Sequence, residues 1–312
     1  MLEDRIRGGL YGLLIGDALG VPYEFHPAAQ IPPVNEIEMT PPEGFQRAHT
    51  SVKPGTWSDD GAQALCLLDS LLMIGHFDLC DFAGRLLAWF EQGLWAVGGR
   101  VFDAGIQTVE SLLALRDGME PEQCGSLRPD GKGNGALMRV LPLALWHCGT
   151  DAELVADAHR QCLVTHAALT NQVCCALYCL VARGLLDELP FQEAFDDAYE
   201  TLRLIYQKKP EYLEELEYRL RPEEADFWQG SGSGYVVDSL RSAFMIMQNA
   251  ESYEEAVRRA VALGNDTDTT ACITGGLAGI RFGCDNIPAR WMDALRQRGD
   301  AEQLLRQLLN GV

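Results

Sequence analysis

A helical spacing of apolar residues runs through nearly every long segment of this chain, and no convincing alternating pattern competes with it. Ile6, Leu10, Leu13 and Leu14 make a first apolar face. Leu65, Leu68 and Leu72 repeat at i, i+3 and i+7. Asp78 is placed to cap a run bearing Leu79, Phe82, Leu86, Trp89 and Phe90, which Gly93 stops. Val237, Leu240, Phe244 and Met247 mark another helix, and the tail from Pro288 to Leu309 reads as one or two more. A chain with this period and no strand period can bury its apolar faces only helix against helix. The expected fold is therefore all-α, a single domain over residues 1–312 with function on the loops that lead into helices.

Two of those loops are unusual. Gly264-Asn265-Asp266-Thr267-Asp268-Thr269-Thr270 holds two carboxylates and three hydroxyls in seven residues, ahead of a small-residue apolar run. Free backbone N–H groups at a helix start favour such side chains, and one cap needs only one of them. Gly55-Thr56-Trp57-Ser58-Asp59-Asp60-Gly61 repeats the arrangement far away in sequence. Clustered hard oxygens suit Mg²⁺ or Mn²⁺, so each loop is expected to supply half of one oxygen-lined metal site.

Composition narrows the partners. With 25 basic and 45 acidic residues the net charge is −20, which repels phosphate backbones and makes extended nucleic acid an unlikely partner. An anionic ligand would need bound cations to offset that charge. Ten cysteines include no C-x-x-C pair, and Cys174, Cys175 and Cys179 fall in an apolar helical run, so they read as buried reduced thiols. The apolar run Leu10–Ile15 ends at Asp17, too short to span a bilayer. A cytoplasmic protein without a membrane partner is expected.

Other turns carry candidate ligands. Gly16-Asp17-Ala18-Leu19-Gly20 reads as a break in the first helix, followed by Glu24 and a Pro-rich loop that extends to Pro54. Asp103 is either a cap or a ligand-facing carboxylate, with the cap favoured on spacing alone. Gly131-Lys132-Gly133-Asn134-Gly135 is a glycine-rich loop able to present N–H groups to a phosphate, although no strand precedes it. It leads into an apolar run from Ala136 to Trp146 in which Pro142 is expected to introduce a kink. Thr165-His166 interrupts a helix that starts at Asp151, and a lone histidine there reads first as structural. Gln229 to Tyr235 is a flexible, ligand-side loop, and Ser252 and Glu255 have capping-box spacing.

Taken together and in order, these motifs resemble the ADP-ribosylglycohydrolases, including the dinitrogenase reductase-activating type. The resemblance rests on Gly16–Gly20 with Glu24, Trp57-Ser58-Asp59-Asp60, Phe102-Asp103-Ala104-Gly105, Gly133–Arg139, Thr165-His166 and Gly264–Thr269, and spans nearly the whole chain. It implies an all-α fold holding two divalent cations, Mg²⁺ or Mn²⁺. Ser58, Asp59, Asp60, Asp266, Asp268 and Thr269 are the ligands it implies. Glu24, assisted by Asp59 or Asp60, is implied as acid/base or gate. Asp103, Gly133, Asn134, Gly135 and His166, with Gly234 and Tyr235, are implied to line the ADP-ribose pocket. Gly61 stands where the family commonly has Thr, and Lys132 stands where an aromatic often packs on the ligand.

The activity implied is hydrolysis of the bond between ADP-ribose and an acceptor, an arginine or serine side chain of a modified protein, with ADP-ribose as product. The cations would bind the distal ribose hydroxyls and orient a water. Two other readings share the motifs: a non-catalytic ADP-ribose-binding or structural protein, and a hydrolase of another ribosyl or phosphoryl compound. Retention of both carboxylate clusters and of Glu24 argues for the enzyme.

Overall fold

The computed structural model describes residues 1–311. It is built from helices, and the only β pairing among the described residues is two isolated bridges, Pro27 with Gly264 and Gly133 with Tyr235. Helix α1 (Leu2–Gly20) lies along α13 (Thr267–Phe282), and this pair is the axis of the molecule. Around it stand α2 (Asp59–Ile74), α3 (Leu79–Gln92), α4 (Ile106–Arg116), the single turn α5 (Pro121–Cys124) and α6 (Leu141–Trp146). The other side is formed by α7 (Asp151–Cys162), α8 (Leu169–Leu186), α9 (Phe191–Tyr206), α10 (Pro210–Glu214), α11 (Val236–Asn249) and α12 (Tyr253–Ala262). Helices α14 (Ala289–Ala294) and α15 (Arg298–Gly311) close the chain.

The glycines of α1 are there for helix contact. Gly8, Gly12, Gly16 and Gly20 recur every fourth residue and make one stripe. A Cβ on Gly12 would lie 2.3 Å from the carbonyl oxygen of Gly275, and one on Gly16 would lie 2.1 Å from that of Ala271. The local sequence predicts a break at Gly16–Gly20; α1 instead runs through it, because these glycines admit the backbone of α13. Tyr253 donates its hydroxyl to Gly12 O (2.9 Å), Tyr178 to Ile273 O (2.9 Å) and Thr267 to Gly20 O (2.8 Å), so polar groups inside the axis are satisfied. The two helix starts that carry the carboxylates are thereby held side by side.

Several local expectations hold and some need correction. Asp78 caps α3 by accepting from Asp81 N–H (2.8 Å), and Gly93 ends it in the left-handed region. Pro142 sits in the first turn of α6 and opens it; residues 136–139 form turns, so there is no kinked helix. Thr150 caps α7 through a capping box with Glu153. Ser252 accepts from Glu255 N–H (3.1 Å), but the Glu255 carboxylate takes the N–H of Glu251, so the box is not reciprocal with Ser252. Helix α8 is long and apolar enough to cross a membrane, yet most of its surface is buried against neighbouring helices. All ten cysteines are free thiols.

The Pro-rich loop is anchored. Glu38 accepts from Arg290 (2.9 Å) and Trp291 Nε1 (2.6 Å), and Tyr23 donates to Glu38 O (2.8 Å). That pins the loop after Glu24 to α14 and fixes where it passes over the start of α13.

Candidate active site

The site begins with a buried carboxylate that sequence reasoning places in a turn. Asp17, on α1, accepts the N–H of Ser58 (2.9 and 3.0 Å) and of Gly61 (2.8 Å). It caps α2 from a neighbouring helix. Ser58 is the N-cap residue, and its hydroxyl accepts from Asp60 N–H (3.3 Å). Asp59 and Asp60 then project from the first turn of α2, with Gln63 Nε2 donating to Asp59 Oδ2 (3.3 Å).

The opposite half comes from α13. The chain enters it through Gly264 and Asn265, both at positive φ, and a Cβ on Gly264 would meet Ala28 N at 2.4 Å. Asn265 N–H donates to His26 O (2.6 Å) and Phe25 N–H donates to Asn265 O (2.8 Å). Asp266 does not cap its own helix; its Oδ2 accepts from Asn134 Nδ2 (2.7 Å). Asp268 Oδ1 accepts the N–H of Thr269 (2.9 Å), and Thr269 donates its hydroxyl to Asp60 Oδ1 (3.4 Å), joining the two halves.

Glu24, 4% exposed, sits between them. Carboxylate oxygens of Glu24, Asp266 and Asp268 lie within 4.8 Å of one another, as do ligand atoms of Glu24, His49 and Asp103. Glu24 bonds to His49 Nε2 at 2.6 Å, and the His49 ring packs 5.3 Å from that of Phe102 and 5.6 Å from that of Phe25. Phe25, His49, Asp103 and Asn265 all have positive φ, four of the eight non-glycine cases among the described residues. Asn, Asp and His adopt this region more readily than most residues, so the cost falls mainly on Phe25, and all four sit where the site is shaped.

Electrostatics follow from burial. Burial, with neighbouring charge added to it, holds Asp59, Asp60 and Asp268 well above the usual carboxylate range. Asp17 is pushed up to about 7 and Glu24 to about 8, again by burial first. Asp60 Oδ2 is buried without a hydrogen-bond partner. A set of clustered carboxylates and hydroxyls with an orphaned buried oxygen fits a hard divalent cation, whose charge would keep these groups ionised.

The cavity beside this cluster has a volume of about 660 Å³. Asp103, Gly133, Asn134, Gly135, His166 and Gly234 line it, as do Glu24, Asp59, Asp60, Asp266 and Thr269 from the cluster. Ser58 and Asp268 lie behind the wall. Tyr235 does not line the cavity: its side chain is 44% exposed, and its backbone bridges Gly133 at the start of α11. Lys132 is not in the wall either; its carbonyl accepts Val236 N–H (2.9 Å). Phe25, Gln107, Thr108 and Asn265 line it without being anticipated from sequence, and the same holds for His49, which supports Glu24. No spacing marks them, since they reach the cavity from separate places in the chain: Phe25, His49 and Asn265 from loops, Gln107 and Thr108 from the first turn of α4.

The glycine loop is shaped from beneath by His166. A Cβ on Gly135 would come within 2.6 Å of His166 Cε1. Asn171 Nδ2 donates to Gly133 O (2.6 Å), and Asn134 N–H donates to Gly234 O (3.1 Å). Arg139, fully buried, donates to Gln63 Oε1 (2.8 Å) on the Asp59 side and to Thr165 Oγ1 (2.8 Å) on the His166 side. Thr165 Oγ1 is 2.9 Å from His166 Nδ1. Burial, and then the Arg139 charge, depress the His166 pKa to about 3, so its imidazole is neutral.

Comparison with known proteins identifies one family. The family profile described as ADP-ribosylglycohydrolase matches residues 1–312. The chain is 31% identical over 308 residues to the ADP-ribosylarginine hydrolase Tri1 of Serratia proteamaculans, covering 98% of this chain and 79% of that protein. It is 26% identical over 306 residues to the ADP-ribosyl-[dinitrogen reductase] glycohydrolase of Rhodospirillum rubrum, covering 96% and 93%. A solved structure described as an ADP-ribosylglycohydrolase-related protein complex superposes with a TM-score of 0.81 at 32% identity, covering 99% of this chain and 98% of that one. With its carboxylates gathered from two helix starts and a match that runs the length of the sequence, this chain belongs to the ADP-ribosylglycohydrolase family.

Proposed function

We propose that the protein hydrolyses the bond between ADP-ribose and an arginine side chain of a modified protein, with Mg²⁺ or Mn²⁺ bound by Ser58, Asp59, Asp60, Asp266, Asp268 and Thr269. The observation that carries this reading is the approach of Glu24 and Asp266, both on the wall of the cavity, to Asp268 behind it, all within 4.8 Å of one another. Bound cations supply the charge that keeps the four aspartates ionised and the Lewis acidity that polarises ribose hydroxyls and water.

The protein's own groups divide the remaining work. The N–H groups of Gly133 and Gly135 have no partner among the described residues and suit a diphosphate, with no Lys or Arg in the wall. His166 holds that loop from below. Glu24 takes a proton from the attacking water and passes it to the departing nitrogen, while the C–N bond breaks and a C–O bond forms. His49 holds the Glu24 carboxylate in place. Glu24 and Asp103 make the mouth acidic, which favours a cationic guanidinium acceptor over the neutral hydroxyl of serine. The free thiols fit a reducing, cytoplasmic setting.

The test is release of ADP-ribose from arginine-linked and serine-linked protein substrates with Mg²⁺, Mn²⁺ or EDTA. Cation-dependent release from the arginine substrate is expected. Release from serine alone would reverse the acceptor assignment. Tight ADP-ribose binding with no release from either would make this a binding protein.

A further inference from the structure

Next to the catalytic cavity but separate from it, Lys53, Arg100 and Arg296 surround a second cavity of about 270 Å³ that no Asp or Glu lines. On a chain of net charge −20 this is a local reversal of sign. Most other surface arginines are ion-paired, as Arg183 is with Asp151 and Arg290 with Glu38. Lys53, Arg100 and Arg296 have no carboxylate partner among the described residues; Arg100 donates only to Ser51 Oγ (3.1 Å).

Backbone contacts bring the three segments together. Arg296 N–H donates to Gly55 O (2.8 Å), and Gly98 N–H donates to Gln297 Oε1 (2.7 Å). The cavity also backs onto the catalytic one. Phe102 lines it, the next residue, Asp103, lines the catalytic cavity, and the Phe102 ring packs on His49, the partner of Glu24. Anything held at the basic cavity is therefore beside the mouth through which a modified side chain enters.

We propose that this basic cavity docks acidic side chains that flank the modified residue on the substrate protein; this rests on the reading of the catalytic cavity given above. A phosphate pocket uses backbone N–H groups. Here the Gly98 N–H is already taken, and the remaining charged donors are exposed, long side chains. Two guanidinium forks and an ammonium on flexible stems suit carboxylates carried on a docking polypeptide. Because the rest of the surface repels acidic partners, such a patch sets orientation and encounter rate more than total affinity.

The test uses two fluorescent peptides, each with one ADP-ribosylated arginine, flanked by Asp and Glu in one and by Ser and Gly in the other. Binding is measured by anisotropy on Glu24→Gln protein, to prevent turnover, with the patch native or carrying Lys53→Glu, Arg100→Glu and Arg296→Glu. The acidic peptide is expected to bind about 3- to 10-fold tighter than the neutral one at low salt, as two or three exposed ion pairs provide. That preference should vanish in the patch variant and equally in a protein carrying Lys53→Gln, Arg100→Gln and Arg296→Gln, which serves as the test where charge reversal disturbs folding. With Glu24 intact, the patch variants should hydrolyse free ADP-ribosylarginine as the native protein does. Equal binding of the two peptides, or a preference that survives both patch variants, would overturn the proposal. So would binding of inorganic phosphate at the patch with no preference between peptides. If the native protein releases ADP-ribose from no substrate but still prefers the acidic peptide, the hydrolase reading fails and the docking site stands.

Discussion

Glu24 Oε2 and His49 Nε2 lie 2.6 Å apart, each on a loop residue next to or at a positive φ. This contact joins the carboxylate nearest both acidic groups to a ring wedged between Phe25 and Phe102. His49 opposes the effect of burial on Glu24: the hydrogen bond favours the ionised carboxylate, while burial and Asp103 disfavour it.

Replacing His49 by Ala should therefore raise the Glu24 pKa and move the acid limb of the pH–rate profile to higher pH. Turnover should fall about ten- to a hundredfold, less than the loss of a general acid/base itself. Metal affinity, measured by calorimetry, should change little. An unmoved acid limb would show that Glu24 is not the group titrating.

Removal of the cations should destabilise the protein in a pH-dependent way. Burial raises Asp59, Asp60 and Asp268, so the folded state binds protons more tightly than the unfolded state does. For an acid with a raised folded pKa, the penalty is present above that pKa and is relieved as pH falls through it. In EDTA the melting temperature should thus drop most at pH 8, and the gap between EDTA and Mg²⁺ or Mn²⁺ should narrow toward pH 5. At a hundredfold excess over Kd the cation should add about 2.7 kcal/mol. A gap that widens on acidification would contradict the assignment of these carboxylates as ligands.

How much of the site is legible in the sequence depends on distance along the chain. The two carboxylate segments, Ser58–Asp60 and Asp266–Thr269, stand out because several oxygens fall within one helix turn. Asp103 and the glycine loop are candidates on their own residues, with a cap or a plain turn as the competing reading, and Glu24 gains a role only through the order of motifs in a resembling family. Asp17 is hidden, because its partners are N–H groups more than 40 residues away, Ser58 and Gly61, and one residue type cannot announce a cap on another helix. The Gly16–Gly20 stretch of α1 misleads for the same reason: whether Gly16 breaks a helix or admits a neighbour depends on Ala271. His49 comes from a loop and Gln107 from the first turn of α4, and the approach of both is set by packing, not by local pattern.

The axis of α1 and α13 gives a stability prediction with an internal control. A Cβ at Gly16 would stand 2.1 Å from Ala271 O, a backbone atom that cannot swing away. Gly16→Ala should cost about 1–3 kcal/mol and weaken cation binding, because separating the helices moves Asp268 away from Asp60. Gly84 is exposed on α3, and a methyl group added there would meet nothing within 4 Å, so Gly84→Ala should stabilise by about 0.5–1 kcal/mol. Denaturant unfolding with and without Mg²⁺ reads both effects. A Gly16→Ala protein that unfolds and binds cations as the native one does would mean the helices do not pack this closely.

Arg139, Thr165 and His166 form a chain of contacts that sets a tautomer. Arg139 can only donate and so takes one lone pair of Thr165 Oγ1; because this buried hydroxyl has no other hydrogen-bond partner among the described residues, its hydrogen is satisfied only at His166 Nδ1. Nδ1 is then the acceptor, and the neutral ring carries its proton on Nε2, on the side of Gly133 and the cavity. A proton in that position makes His166 a donor toward an anionic ligand; on Nδ1 it would leave a lone pair there, which repels one. Thr165→Val should release the tautomer, visible in the ¹⁵N shifts of the His166 ring, and should raise KM for the ADP-ribosylated substrate about tenfold while kcat changes little. It also strips an acceptor from buried Arg139, at a cost of about 1–3 kcal/mol in stability. Thr165→Ser keeps the hydroxyl and should restore both the tautomer and KM, which separates the orienting effect from a general loss of packing. If KM rises in Thr165→Val while the ring keeps its proton on Nε2, the orientation of His166 is not what Thr165 provides.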